Sequence, residues 1–148
     1  MNNNRKIGGK YEKEVAKEFS SDVVRGSGSS LWHKGDVIGD TYCIQCKFTE
    51  KEEYLLKIDD LIKAEKEAYS ERKDFLFCVG IRKDTYIIER VSKIREKYPH
   101  IICNNKSIKI NKKLFNDDEI LYVTFILNPK KYDYMISSFY KFQEGQLL

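Results

Sequence analysis

Apolar positions along this chain alternate between two spacings, and each spacing predicts an element. Within GGKYEKEVAKEF, Tyr11, Val15 and Phe19 recur every four residues, the mark of one apolar helix face over about residues 8 to 20. DVVRGSGSS then passes from a β-branched run into a Gly/Ser loop, and GDVIGDTYCIQCKF reads as two short strands turning at Gly39-Asp40. From about Glu52 to Arg72, the residues Leu55, Ile58, Leu61, Ile62, Ala68 and Tyr69 return at helical intervals and predict the longest helix, packed across a sheet. DFLFCVGI is apolar almost throughout, as a buried central strand requires, and DTYIIERV after the Arg82-Lys83 turn predicts the next strand. Beyond Val91 the pattern predicts a short helix to Tyr98, a hairpin of HIICNN and SIKI around Asn104-Asn105, and a buried strand in EILYVTFIL. Asn128-Pro129 supplies an N-cap and a first-turn proline for a last helix through about Phe142. The expected fold class is α/β, a central mixed β-sheet flanked by α-helices.

Composition places this pattern in a single domain over residues 1–148, since 41% hydrophobic and 13% aromatic residues suffice for a core and no low-complexity linker interrupts the chain. The absence of an 18-residue apolar run argues against a membrane span. MNNNRKIGGK has no apolar signal core, which points to a cytoplasmic protein whose four cysteines are reduced thiols. Cys43 and Cys46 form a C-x-x-C, but on a strand they face opposite ways, so buried thiols are the better reading than zinc ligands. The excess of 27 Lys and Arg over 23 Asp and Glu is mild, and it matters for a nucleic-acid partner chiefly if some acids sit in a metal site. Lys106, Lys109, Lys112 and Lys113 form a basic run suited either to a phosphate backbone or to plain solvation. Aromatics at 132, 134, 139, 140 and 142 read as an apolar helix face against the sheet or a dimer partner.

Candidate chemistry gathers on one strand. Cys43, Gln45 and Lys47 share a face, and Asp36 on the preceding strand can be brought beside them across the turn. An acid, an amide oxygen and an ammonium suit phosphodiester hydrolysis: the acid holds a hard divalent ion, which lowers the pKa of a bound water, and the ammonium offsets transition-state charge. Taken alone, Asp, Gln and Lys at this spacing equally describe a solvated strand face.

The order GGKYEKEV, VVRGSGS, Asp36 and IQCK, followed by a long helix, resembles the PD-(D/E)XK nuclease superfamily, and within it the archaeal-type Holliday junction resolvases, over residues 8 to 81. The resemblance implies a restriction-endonuclease-like sheet with its motif core within about residues 8 to 90 and additional strands and a terminal helix after it. It implies a catalytic set of Glu12, Asp36, Gln45 and Lys47, with Glu12, Asp36, Gln45 and the main-chain carbonyl of Cys46 holding Mg²⁺, or Mn²⁺ in its place. Glu14 is close enough to Glu12 to compete for that role, and the family spacing selects Glu12. Lys13 and Arg25 match basic positions that in the family sit near the scissile phosphate, and Ser29 matches a serine of the active-site loop; with Ser27, Trp32 and Lys34 they are the expected DNA contacts, Trp32 and the Gly/Ser loop being suited to DNA contact rather than chemistry. Gln45 departs from the resolvases, which mostly carry Glu there, and agrees with Mrr-like nucleases; a neutral amide removes one negative charge from the ion site. The expected function is Mg²⁺-dependent cleavage of branched DNA such as a four-way junction. The two-fold symmetry of a junction calls for a homodimer. A restriction-type nuclease on duplex DNA, or a DNA-binding protein with a weakened site, are the alternatives that Gln45 raises.

Overall fold

The computed structural model describes residues 37–38, 42–115 and 117–147. Its centre is a mixed sheet whose strands follow from period-two patterns. Strand β1 (Val37–Ile38) pairs antiparallel with β2 (Tyr42–Thr49) in the register Val37↔Ile44, so the two strands expected of GDVIGDTYCIQCKF are both present. Strand β3 (Glu53–Lys57) leads into helix α1 (Ile58–Ser70), which returns the chain to β4 (Asp74–Ile81), parallel to β2. Then come β5 (Asp84–Arg90), β6 (His100–Cys103), β7 (Ser107–Asn111), β8 (Ile120–Leu127), β9 (Lys130–Ser138) and helix α2 (Phe139–Leu147). Seven strands form the main sheet in the order β1-β2-β4-β5-β9-β8-β6, and β3 and β7 form a separate antiparallel ribbon.

Burial assigns the two faces of the sheet. Strand β4, flanked by β2 and β5, sends Phe77, Val79 and Ile81 into the larger core with Leu61 and Ala64 of α1 and Leu56 and Ile110 of the ribbon. Its alternate residues Leu76 and Cys78 join Ile44, Cys46, Ile87 and Phe142 of α2 in a second core. The sheet is therefore covered by α1 and the ribbon on one face and by α2 on the other, the flanked mixed sheet that the sequence predicts.

Helix α1 buries Ile58, Leu61, Ala64 and Ala68 as a single stripe. It ends where Arg72 turns left-handed at φ 57, with the Lys73 N–H donating to Ala68 O at 2.9 Å and the Arg72 N–H to Tyr69 O at 3.0 Å. This is a Schellman stop with arginine at the position glycine favours. Arg72→Gly is expected to stabilise the protein by about 0.5–1 kcal/mol, the left-handed penalty less the added freedom of the unfolded chain, read as a higher urea midpoint.

Four expectations are corrected, three of them because a distant strand outbids local periodicity. The long helix starts at Ile58 and not near Glu52, since Glu53–Lys57 pairs residue by residue with Asn111–Ser107, burying Leu56 and leaving Leu55 exposed. HIICNN and SIKI do not form a hairpin: β6 runs parallel to β8, while β7 leaves the sheet to join β3. The short helix expected from Val91 to Tyr98 does not form; the Tyr98 N–H closes a turn on Arg95 O at 3.2 Å. Asn128-Pro129 forms the turn between β8 and β9 and caps no helix, because Lys130–Ser138 is a strand with partners on both sides. Tyr132, Tyr134 and Ile136 alternate there, packing on the α1 side, so the aromatic positions after Pro129 divide between a strand and the short helix α2.

Candidate active site

Strand β2 carries the described part of the candidate site. Its Gln45 and Lys47 register with Phe77 and Val79 of β4, and register partners share a face, so both lie on the side of the sheet covered by α1 and the ribbon. Cover thins along that face. Cys43 is buried beneath Ala68 near the end of α1, Gln45 is half-buried, and Lys47 is exposed. The same alternation that buries the strand thus brings an amide and an ammonium out at the rim of the helical layer.

The opposite face holds β2 in place. Ile44 and Cys46 pack with Leu76, Cys78 and Phe142, and the rings of Tyr42 and Phe142 meet edge to face at 6.3 Å. The Cys46 thiol is thereby directed away from Lys47, which leaves only its carbonyl for the site. Cys43 and Cys46 sit in clusters on opposite faces and cannot share one zinc ion; like Cys78 and Cys103 they are buried and form no disulfide.

Just past Lys47 the chain is clamped by a residue that local sequence does not mark. Thr49 and Ile81 are register partners, which puts Arg82 beside the end of β2. Its N–H donates to Thr49 O at 2.9 Å and its Nε to Glu50 O at 3.1 Å. The accompanying Arg82–Glu52 ion pair, at 3.6 Å and exposed on both sides, contributes little. Only the parallel crossover through α1 signals this clamp, and it is legible once β2 and β4 are known to pair.

Glu12, Lys13, Arg25, Ser27, Ser29, Trp32, Lys34 and Asp36 lie outside the described residues. Asp36 directly precedes Val37 in the chain, and Val37 is the partner of Ile44, next to Gln45. Magnesium-like ions take oxygen ligands. The Gln45 carboxamide and a main-chain carbonyl of β2 are donors of that class, and Cys43, on the same face, is buried under α1. These donors fit a hard divalent ion. Among the described residues, no group of three His, Cys, Asp or Glu side chains gathers to hold a metal.

In structure the chain is similar to Archaeoglobus fulgidus Hjc, a Holliday junction resolvase from an archaeal hyperthermophile. The likeness covers 74% of this chain and 87% of that one at 16% sequence identity, with a TM-score of 0.46. No family model matches the chain, and no curated protein matches it. Among the described residues, no helix is long and apolar enough to cross a membrane.

Other polar clusters serve the scaffold. Glu65 of α1 lies 3.4 Å from Arg90, whose guanidinium sits over the rings of Tyr132 and Tyr134 at 4.8 and 5.4 Å. Burial raises the Glu65 carboxyl despite Arg90, and burial followed by the Glu65 charge pushes the Tyr134 phenol up. At the sheet edge, buried Thr124 donates to Asp133 at 2.6 Å and accepts from His100 Nε2 at 2.7 Å, tying β6 to β8 and β9. Cavities of about 550 and 520 Å³ flank the β4–β5 turn, share Asp84, Tyr86 and Lys112, and are lined by neither Gln45 nor Lys47.

Glu89 gives a pH signature. Burial raises its carboxyl pKa from the ordinary value, with Arg95 only partly opposing. The folded chain therefore binds this proton more tightly than the unfolded chain, and stability falls as pH rises from the ordinary carboxylate pKa through the raised one. Glu89→Gln is expected to flatten that fall and to raise the melting temperature at neutral pH relative to the parent, with the gap closing below the ordinary carboxylate pKa. Thermal melts across pH 3.5 to 8, on the order of one per half unit, check it.

Proposed function

We propose that this chain is a divalent-metal-dependent endodeoxyribonuclease of the PD-(D/E)XK type, cutting branched DNA such as a four-way junction as a homodimer. Support comes from one arrangement: Asp36 directly precedes β1 in the chain, β1 pairs with β2, Gln45 and Lys47 lie together on one face of β2, and α1 crosses over to a parallel β4. That is the order in which the motif residues of this superfamily occur, on a restriction-endonuclease-like sheet. Gln45 stands where a second carboxylate is usual.

Glu12, Asp36, Gln45 and the Cys46 carbonyl would hold the ion, which when bound supplies a water of lowered pKa and polarises the phosphoryl oxygen. Lys47, exposed at the rim, has the reach to orient that water or to offset charge gathering on the phosphate. Hydrolysis forms a bond from the water oxygen to phosphorus and breaks one ester bond, whose oxygen leaves with a proton. Gln45 contributes an oxygen without a charge, so the site leans on Asp36 and Glu12 for metal affinity. Because a junction is two-fold symmetric, paired cuts require two such sites related by the same symmetry.

The test is cleavage of labelled four-way junction and matched linear duplex in Mg²⁺, with Asp36→Ala, Gln45→Glu and a chelator control, alongside the solution mass of the protein. Paired symmetric nicks confined to the junction, lost in Asp36→Ala and kept in Gln45→Glu, are the expected result. Cutting of duplex alone favours a restriction-type nuclease. Binding without cleavage, with activity gained in Gln45→Glu, makes the parent a DNA-binding protein silenced at Gln45.

A further inference from the structure

The β3–β7 ribbon lies on the same side of the sheet as Gln45 and Lys47, and its strand β3 is the next element after β2. Its inward positions Tyr54, Leu56, Ile108 and Ile110 pack into the larger core. Its outward positions are Glu53, Leu55, Lys57, Ser107, Lys109 and Asn111, with Leu55 facing Lys109 across the ladder. Glu53 is the one acid among those six, and Leu55 is 43% exposed. Lysines continue the row at both ends, with Lys106 before β7 and Lys112 and Lys113 after it.

Both ends are fixed by hydrogen bonds. Lys106 O accepts from the Ile58 N–H at 2.9 Å, anchoring one end to the start of α1. The Asn111 side chain accepts from the Lys113 N–H at 3.0 Å, holding the short 3-10 turn at the other. From Lys106 to Lys112 an extended chain covers about 20 Å, the rise of about six base pairs. An anchored ribbon of that length, with five lysines along its outward row and ends, beside Glu53, complements the phosphate backbone of a duplex, and holding it in place in advance lowers the ordering cost of binding.

We propose that the outward face of the β3–β7 ribbon, through Lys57, Lys109 and the flanking Lys106, Lys112 and Lys113, binds the phosphate backbone of a duplex arm adjoining the cut. This rests on the nuclease reading above and adds to it a second contact surface, outside the motif residues.

The experiment is fluorescence anisotropy of labelled duplex and four-way junction as a function of salt, without added divalent metal. It compares the parent, Lys57→Gln with Lys109→Gln, the matching Lys→Arg pair, and a control pair Lys130→Gln with Lys131→Gln at the exposed β8–β9 turn. The ribbon pair should flatten the plot of log affinity against log salt by about 2 and weaken low-salt binding by about tenfold or more. The arginine pair should restore both, and the control pair should match the parent. If the parent binds but the ribbon pair keeps its slope, the ribbon proposal is overturned while the nuclease reading stands. A ribbon-dependent slope in a protein that never cleaves sinks the nuclease reading and leaves the ribbon proposal intact. A parent that binds neither DNA overturns both.

Discussion

Lys47→Ala is expected to slow DNA cleavage by about 100- to 1000-fold under single-turnover conditions while leaving DNA affinity nearly unchanged, the magnitude usual for removing one charge-stabilising group. Lys47 is exposed, so truncation removes no core contact and stability should stay within about 0.5 kcal/mol. Its strand is held from behind by Phe142 and at its end by Arg82, so the rest of the site keeps its geometry. Lys47→Arg should recover only part of the rate, because a planar fork replaces a compact point charge. Single-turnover cleavage, anisotropy and a thermal melt on the same preparations separate these effects. An unchanged rate would remove Lys47 from the chemistry. The ribbon lysines should show the converse, weakened binding with the rate recovered at saturating protein.

Phe77→Ala should cost about 3–5 kcal/mol, the range for deleting a buried aromatic side chain. Phe77 is fully buried, sits between Gln45 of β2 and Ile88 of β5 in the register, and belongs to the core that joins α1 and the ribbon to the sheet. A domain of ordinary stability, about 5–15 kcal/mol, would lose a large share of it. Phe77→Leu keeps most of the volume and should cost less than about 1.5 kcal/mol, with cleavage preserved. Urea denaturation reads both as shifts in midpoint at constant m-value. Equal costs for the two variants would show that the cavity at Phe77 closes by relaxation and that the neighbourhood of Gln45 is softer than its burial implies.

The chemistry-bearing strand was legible from the sequence because its information is local. Alternation in YCIQCKF places Gln45 and Lys47 together and the Cys46 thiol opposite, and β1 pairs with this strand as the sequence predicts. The unbroken apolar run of β4 likewise announces burial on both faces. Sequence alone thus determined a mixed α/β sheet, a strand with a polar pair on one face, and the helix that crosses over from it.

Tertiary structure decided what depends on partners far along the chain. Leu55 fits a helical repeat, yet it lies in a strand because Lys109, more than fifty residues later, pairs with it. Asn128-Pro129 reads as a helix start, yet β5 and β8 claim the hydrogen bonds of Lys130–Ser138. Arg82 has no local mark, and it reaches Thr49 because β2 and β4 end side by side. Periodicity records which face of a segment is apolar. It does not record which distant backbone satisfies that segment's N–H and C=O groups, and in this protein that second condition separates strand from helix and places the ribbon on the same side of the sheet as Gln45 and Lys47.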